Sequence, residues 1–218
     1  VFVLGYSGCI GRLLKNTHLL HAMAVADAGL SPTQFQKDQH PSWFQDRLTV
    51  LHDGIDTRRF KPDASAKVHL RAAGVTLHPG DEVLTFVSRH LEPYRGYHQF
   101  MRALPRIQAQ RPKAITLIVG AEGQSYGPAA PQGSSWKNIY LDEVKDQLDM
   151  SRVYFLGSLA YENYLKVLQL SACHVYLTYP FVLSWSCVEA LSAGCAVVGS
   201  RTAPVEEVIE DGLNGVLC

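Results

Sequence analysis

The chain has 218 residues, 47% hydrophobic and 18% charged. This excludes a disordered segment and, at roughly 150 residues per domain, allows one full domain plus part of another. Twenty Lys and Arg balance twenty Asp and Glu, which argues against a general nucleic-acid binder with its basic surface. No apolar run approaches the roughly 18 to 20 residues that span a bilayer, and the opening VFVLGYSG lacks the charged region of a secretion signal.

In chain order, residues 1 to about 60 read as the end of a preceding domain. Residues 10–26 have helical character and 48–51 read as a strand. HDGID at 52–56 reads as a turn, where Asp53 and Asp56 are either backbone-turn residues or a pair of acids. Residues 61–82 hold Pro62, Gly74, Pro79 and Gly80 around a short helical piece and read as a linker. From 83 the pattern alternates strand and helix. Strands are expected over 83–88, 114–120, 152–157, 174–178 and 195–200. Helices are expected over 97–110, 141–149, 161–172, 186–193 and 204–210. Pro105 is expected to kink or split the first of these helices, and Pro204 suits the first turn of the last. Strands that are apolar throughout suit a parallel sheet covered on both faces. The architecture expected is therefore a doubly wound α/β sheet with right-handed crossovers. Both ends, VFVLGYSG without Met and NGVLC inside a strand-like run, read as cuts in a longer chain.

The cysteines are Cys9, Cys173, Cys187, Cys195 and Cys218, with no CxxC pair. Their spacing supports neither a metal cluster nor a disulfide framework, and buried reduced thiols in a cytoplasmic protein fit best. The nine histidines form no HExxH or comparable pair. No metal ligand set and no cofactor are therefore expected.

Four segments could carry chemistry. SRHLEPYRG (88–96) follows a strand, so Arg89 and Arg95 would sit on the ligand edge of the sheet. They read either as a guanidinium clamp on one anion or as two solvated arginines paired with Glu92. Gly96 would allow close backbone approach. In FVLSWSCVEALSAG (181–194), Ser186 and Glu189 have capping-box spacing. The same helix start could bind phosphate through its free N–H groups, with Glu189 accepting from a ribose diol. LIVGAEG (117–123), with Gly120, is a weak G-x-x-G signal and neither a dinucleotide fingerprint nor a P-loop. The long Gly-, Pro- and Ser-rich stretch between Gly120 and Ile139 leaves the carboxyl end of a strand. It reads as a functional loop or as a disordered insertion.

Together, HDGIDTRRFKP (52–62), SRHLEPYRG, LIVG (117–120), RVYFLG (152–157) and the run from 172 to 217, with VEALSAGCAVVGS and PVEEVIEDGLNGVL, resemble the C-terminal half of retaining GT-B glycosyltransferases of family 4. Residues 11–37 are similar to the end of that family's N-terminal domain, with ADAGLSPTQFQ (26–36) as a strand and turn. The resemblance implies a Rossmann-like, doubly wound parallel sheet over 83–218 as the nucleotide-sugar-binding domain. Residues 61–82 would be the linker and 1–60 the end of the acceptor-side domain.

The family moves a sugar from a nucleotide sugar to an acceptor hydroxyl with retention. By resemblance, Arg89 and Arg95 are the catalytic pair that grips the diphosphate, Arg95 standing where the family has lysine. Glu189 matches the glutamate that holds the ribose hydroxyls. Phe181 stands where the family has a first glutamate, which contacts the donor sugar. Backbone amides near Leu183, Ser184 and Trp185, with the helix start at Ser186, would meet the phosphates. Leu159 would border the nucleobase, and Gly120 lies in the matching LIVG. The implied partners are a nucleoside-diphosphate sugar and a carbohydrate or lipid-linked acceptor, without nucleic acid. Two arginines and a helix N-terminus could replace a metal at the leaving group. The implied setting is bacterial surface polysaccharide biosynthesis, in the cytoplasm or at the inner membrane face. The fragment itself is expected to bind nucleotide without turnover. The alternatives are a non-catalytic nucleotide-sugar-binding domain and a sugar-nucleotide epimerase of GT-B architecture.

Overall fold

The computed structural model describes residues 6–218. They fall into two compact units divided between Asp53 and Gly54. The first contains helix α1 (Tyr6–Val25) and a parallel strand pair, β1 (Gly29–Ser31) with β2 (Leu48–Val50), joined through helices α2 (Gln34–Asp38) and α3 (Ser42–Gln45). The turn expected after β1 is the start of α2. Thr33 caps it, its hydroxyl accepting from the Gln36 N–H at 3.1 Å.

The second unit begins earlier than the boundary at 60 expected from the sequence. Phe60 is the cause. Its ring is 1% exposed and packs edge-on against Tyr161 at 5.3 Å, within the core of the second unit. Residues 61–82 are not a loose linker either. They carry an antiparallel hairpin, β3 (Val68–Leu70) and β4 (Val75–Leu77), turned through Gly74 at φ +64°. Leu70 and Leu77 are buried with Val83, Leu117 and Val167, so the segment is part of the core.

The main sheet has six parallel strands. They are β5 (Val83–His90), β6 (Ile115–Ala121), β7 (Val153–Gly157), β8 (Cys173–Tyr176), β9 (Ala196–Gly199) and β10 (Val216–Leu217), in the spatial order β10-β9-β8-β5-β6-β7. The first three strands run outward in one direction and the last three in the other, the order of a dinucleotide-binding sheet. Crossover helices are α4 (Tyr97–Gln110), α5 (Trp136–Asp142), α6 (Tyr161–Gln169), α7 (Trp185–Ser192) and α8 (Ala203–Glu206). Alternate residues of each strand serve opposite faces. Leu84, Phe86, Ile118 and Val175 meet Phe100, Met101 and Leu104 of α4. On the other face Tyr176 and Val197 meet Leu168, Cys187 and Ala190 of α6 and α7.

α4 runs through Pro105 as one element, so the proline does not split it. Its stripe of Tyr97, Phe100, Met101 and Leu104 is at most 1% exposed, and that burial holds the turn together despite the missing N–H. The helix expected over 141–149 instead occupies 136–142, because Ser135 caps it by accepting from the Asn138 N–H at 3.2 Å. Among the described residues no helix is long and apolar enough to cross a membrane. Cys173, Cys187, Cys195 and Cys218 are unpaired, and the side chain of Cys9 lies outside the described residues. Burial pushes the Cys187 and Cys195 thiols up to about 12.

One polar cluster sits inside this core. The Thr85 hydroxyl lies 2.7 Å from Ser171 Oγ and 2.9 Å from His174 Nδ1. His174 is fully buried, and its Nε2 has no hydrogen-bond partner among the described residues. Desolvation lowers its pKa from 6.5 to about 4. The folded imidazole thus stays neutral where an unfolded one takes a proton, so stability falls as pH drops from 6.5 toward 4. Denaturation across that window is expected to show proton uptake on unfolding, and His174→Gln to flatten the slope. Identical slopes in both proteins would exclude His174 as the source.

Candidate functional site

The sheet order reverses between β5 and β8, and in open α/β sheets ligands bind beyond the carboxyl ends of the strands at such a point. A cleft of about 440 Å³ opens there. Its walls bring together Arg89, Arg95, Gly120, Leu159, Ser184, Trp185, Ser186 and Glu189. These come from four separate segments of the sequence.

β5 delivers Arg89 through a register shift. Val87 pairs with Val119, but His90 pairs with Ala121, so Ser88 and Arg89 leave the regular ladder. Gly120 makes this possible. A Cβ there would lie 2.8 Å from the Ser88 carbonyl oxygen and 2.8 Å from Leu91 Cδ2. Arg95 ends a 3₁₀ turn at 93–95, and Gly96 follows at φ +73°. A Cβ on Gly96 would meet Leu177 Cβ at 2.3 Å, so the turn packs directly on the end of β8.

Neither Arg89 nor Arg95 forms an ion pair among the described residues. The alternative in which both pair with Glu92 is therefore overturned. Glu92 is 0% exposed and accepts from the backbone N–H groups of Ser125, Tyr126 and Gly127. The long loop after β6 is thereby tied down rather than loose. Arg95 Nη1 instead donates at 3.3–3.4 Å to the Tyr176 hydroxyl, the Thr178 hydroxyl and the Val182 carbonyl.

The start of α7 also differs from the expected capping box. The cap is Ser184, whose Oγ accepts from the Ser186 N–H at 3.4 Å, and the helix begins at Trp185. Glu189 therefore lies a turn further in, too far along to cap. It is 4% exposed, and its two carboxylate oxygens accept from the hydroxyls of Tyr161 at 2.8 Å and Tyr164 at 2.6 Å. Burial, with the Glu189 carboxylate adding to it, pushes Tyr161 up to about 12 and Tyr164 upward as well. The Ser184 N–H donates to the Tyr176 hydroxyl at 2.9 Å. That one phenol thus links the α7 N-terminus to Arg95, and burial raises its pKa to about 12.

Two of the expected residues keep their side chains off the cleft walls, although Leu183 is expected to act through its backbone amide. Leu183 is 2% exposed and lies in the core with Tyr176 and Cys187. The half-buried Phe181 ring lies 4.8 Å from that of Tyr126 and 5.3 Å from that of Tyr94. Conversely, sequence reasoning missed Tyr126, Tyr161, Tyr164 and Tyr176, all on the cleft wall. The i, i+3 spacing of Tyr161 and Tyr164 on α6 was the available signal. Asp56 is a turn residue, its carboxylate accepting from the Arg58 N–H at 3.0 Å. Among the described residues no group of three or more His, Cys, Asp and Glu side chains is placed to hold a metal ion.

The fold and the cleft define a Rossmann-like domain of the GT-B kind, open at its switch point. The family model described as glycosyl transferases group 1 matches residues 72–218, and one described as glycosyl transferase family 4 group matches 9–60. The chain belongs to the glycosyl transferases group 1 family. It is similar to glycogen synthase of Mycobacterium tuberculosis, at 25% identity over 98% of this chain and 47% of that protein. The chain thus spans about half the length of the curated relatives it matches. Among solved structures it resembles Anabaena HepE in complex with UDP and glucose, with TM-score 0.68 and 21% identity over 93% of this chain and 52% of that one. It also resembles sucrose-phosphate synthase from Thermosynechococcus elongatus, with TM-score 0.70 and 19% identity over 93% and 48%.

Tyr164→Phe removes one of the two donors to a buried carboxylate, a change expected to cost about 1–3 kcal/mol. Chemical denaturation of the variant should show a lowered midpoint with an unchanged slope. An unchanged midpoint would mean that the phenol contributes nothing to holding Glu189.

Proposed function

We propose that this protein supplies the donor-binding part of a glycosyltransferase that moves a sugar from a nucleoside diphosphate to an acceptor hydroxyl with retention. The observation that carries the reading is the shared cleft. Two arginines that form no ion pair among the described residues, the N-terminus of α7 and the buried Glu189 all face one space at the switch point. That combination fits a nucleoside diphosphate. Guanidiniums and helix N–H groups suit its phosphates. A carboxylate already accepting from two hydroxyls suits the ribose diol, which would take the place of the phenol donors. Leu159 would border the base. HepE, crystallised with UDP and glucose, supports a uridine nucleotide as the first donor to test.

In the reaction, the bond between the anomeric carbon and the diphosphate oxygen breaks, and its electron pair leaves with the diphosphate. The acceptor oxygen bonds to the anomeric carbon, and its proton passes to the departing diphosphate. Charge grows on the leaving diphosphate, where Arg89 and Arg95 would act as catalytic residues by stabilising it. In this reading the arginines and α7 do the work that a metal does in other transferases. The amides near Ser184 and Trp185 would complete the phosphate site. The acceptor is a carbohydrate or a lipid-linked carbohydrate, and the setting is polysaccharide synthesis on the cytoplasmic side of the membrane. A non-catalytic nucleotide-sugar-binding role is the second reading. Phe181 favours it, because an aromatic ring at that position offers the donor sugar no carboxylate.

Arg89→Ala and Arg95→Ala are each expected to weaken nucleoside-diphosphate binding by about 1–3 kcal/mol, the range of a charge-assisted contact. Calorimetry with UDP, GDP and ADP reads this directly, and wild-type affinity in both variants would remove the clamp. Transfer from the corresponding nucleotide sugars, assayed on the intact protein with Glu189→Gln as control, separates the two readings. Sugar-nucleotide binding without transfer or donor hydrolysis would establish the second, and the anomeric configuration of the product tests retention.

A further inference from the structure

We propose that Glu92 and Tyr126 are positioning residues for the Arg95 guanidinium, acting through the loop at 122–135. The inference rests on the reading that Arg95 grips the donor diphosphate.

Arg95 needs such help. Among the described residues the hydrogen bonds of its guanidinium all leave through Nη1 and all measure 3.3–3.4 Å. Long bonds from one nitrogen do not fix the plane of a five-donor fork. Two aromatic faces do. The guanidinium carbon lies 5.2 Å from the centre of the Tyr126 ring and 5.3 Å from that of Phe181, and the two rings are 4.8 Å apart. Cation–π attraction favours a guanidinium held in that position.

Phe181 is close to α7 in sequence, but Tyr126 comes from a Gly- and Pro-rich loop with no strand or helix of its own. Glu92 fixes it there. Its carboxylate is fully buried, and a buried carboxylate is tolerated only where its oxygens are satisfied. The N–H groups of Ser125, Tyr126 and Gly127 supply that satisfaction at 3.2–3.4 Å, converging on it as a backbone nest. His90 Nδ1 bonds to Ser125 Oγ and holds the loop from the side. The Glu92 carbonyl also accepts from the Arg95 N–H at 3.2 Å. One residue therefore sets the turn that carries the arginine and the loop that carries its aromatic cover.

The test is calorimetry on the intact protein with UDP, GDP and ADP, using the nucleotide that the wild type binds tightest. Tyr126→Ala and Glu92→Gln are each expected to weaken binding about 3- to 10-fold, the size of a lost cation–π contact. Tyr126→Phe keeps the ring and should stay within about twofold of wild type. In an Arg95→Ala background both substitutions should lose their effect, because they act through the arginine. If Arg95→Ala weakens binding and Tyr126→Ala adds its full effect on top, the positioning role is overturned while the clamp stands. If Arg95→Ala binds all three nucleotides like the wild type, or if the wild type binds none, the clamp itself falls. Hydrogen exchange at amides 125–127 reads the anchor without any ligand. Faster exchange in Glu92→Gln supports it, and unchanged protection removes Glu92 from the proposal. Should Glu92→Gln fail to fold, the Tyr126 variants carry the test, since that side chain is 44% exposed and lies outside the core.

Discussion

The reversal of strand order between β5 and β8 is the constraint on which the cleft depends. Two crossovers leave neighbouring strands there and travel in opposite directions, so the backbone beyond the strand ends cannot fill the space between them. The two arginines and the start of α7 reach that gap from segments at or just beyond the strand ends. Arg89 leaves β5 at a break in its register with β6. Arg95 sits on a turn pressed against β8, and α7 starts where the chain returns from β8. Two glycines permit the closeness. At Gly120 and Gly96 a methyl group would strike backbone or Cβ atoms within 3 Å, so the site is compact because those positions carry no side chain.

The charges in the cleft are unevenly matched. Arg89 and Arg95 lack carboxylate partners among the described residues, whereas both nearby carboxylates are already satisfied, Glu92 by amides and Glu189 by phenols. Carboxylate oxygens that already accept from amides and phenols form no ion pair with the guanidiniums. The guanidiniums thus stay available to an anion. The Tyr176 phenol binds the two halves of the site together, accepting from the Ser184 amide on one side and from Arg95 on the other.

Family membership and fold rest on most of the chain, while identities to the solved structures are near one residue in five. At that distance the comparison shows the shared fold. In this chain an aromatic group of Tyr94, Tyr126 and Phe181 lies around Arg95. It depends on a loop whose anchor is a carboxylate thirty-odd positions earlier in the chain.

The sequence by itself determined the alternation of strand and helix from 83 onward and the limits of α4. It also determined that Arg89, Arg95, Ser184, Trp185, Ser186 and Glu189 would sit at strand ends and a helix start. These are local properties, written in apolar runs, helical stripes and turn residues that neighbouring positions reveal. Only the tertiary structure decided where side chains meet across long separations. It sent Glu92 to the loop instead of to the arginines, and gave Glu189 to Tyr161 and Tyr164 instead of to a cap. It packed Leu70 and Leu77 of the expected linker into the core and set the Phe181 ring beside Tyr126 and Arg95. A carboxylate satisfies its oxygens with whichever donors the fold brings close, and segments far apart in sequence carry no local mark of that meeting.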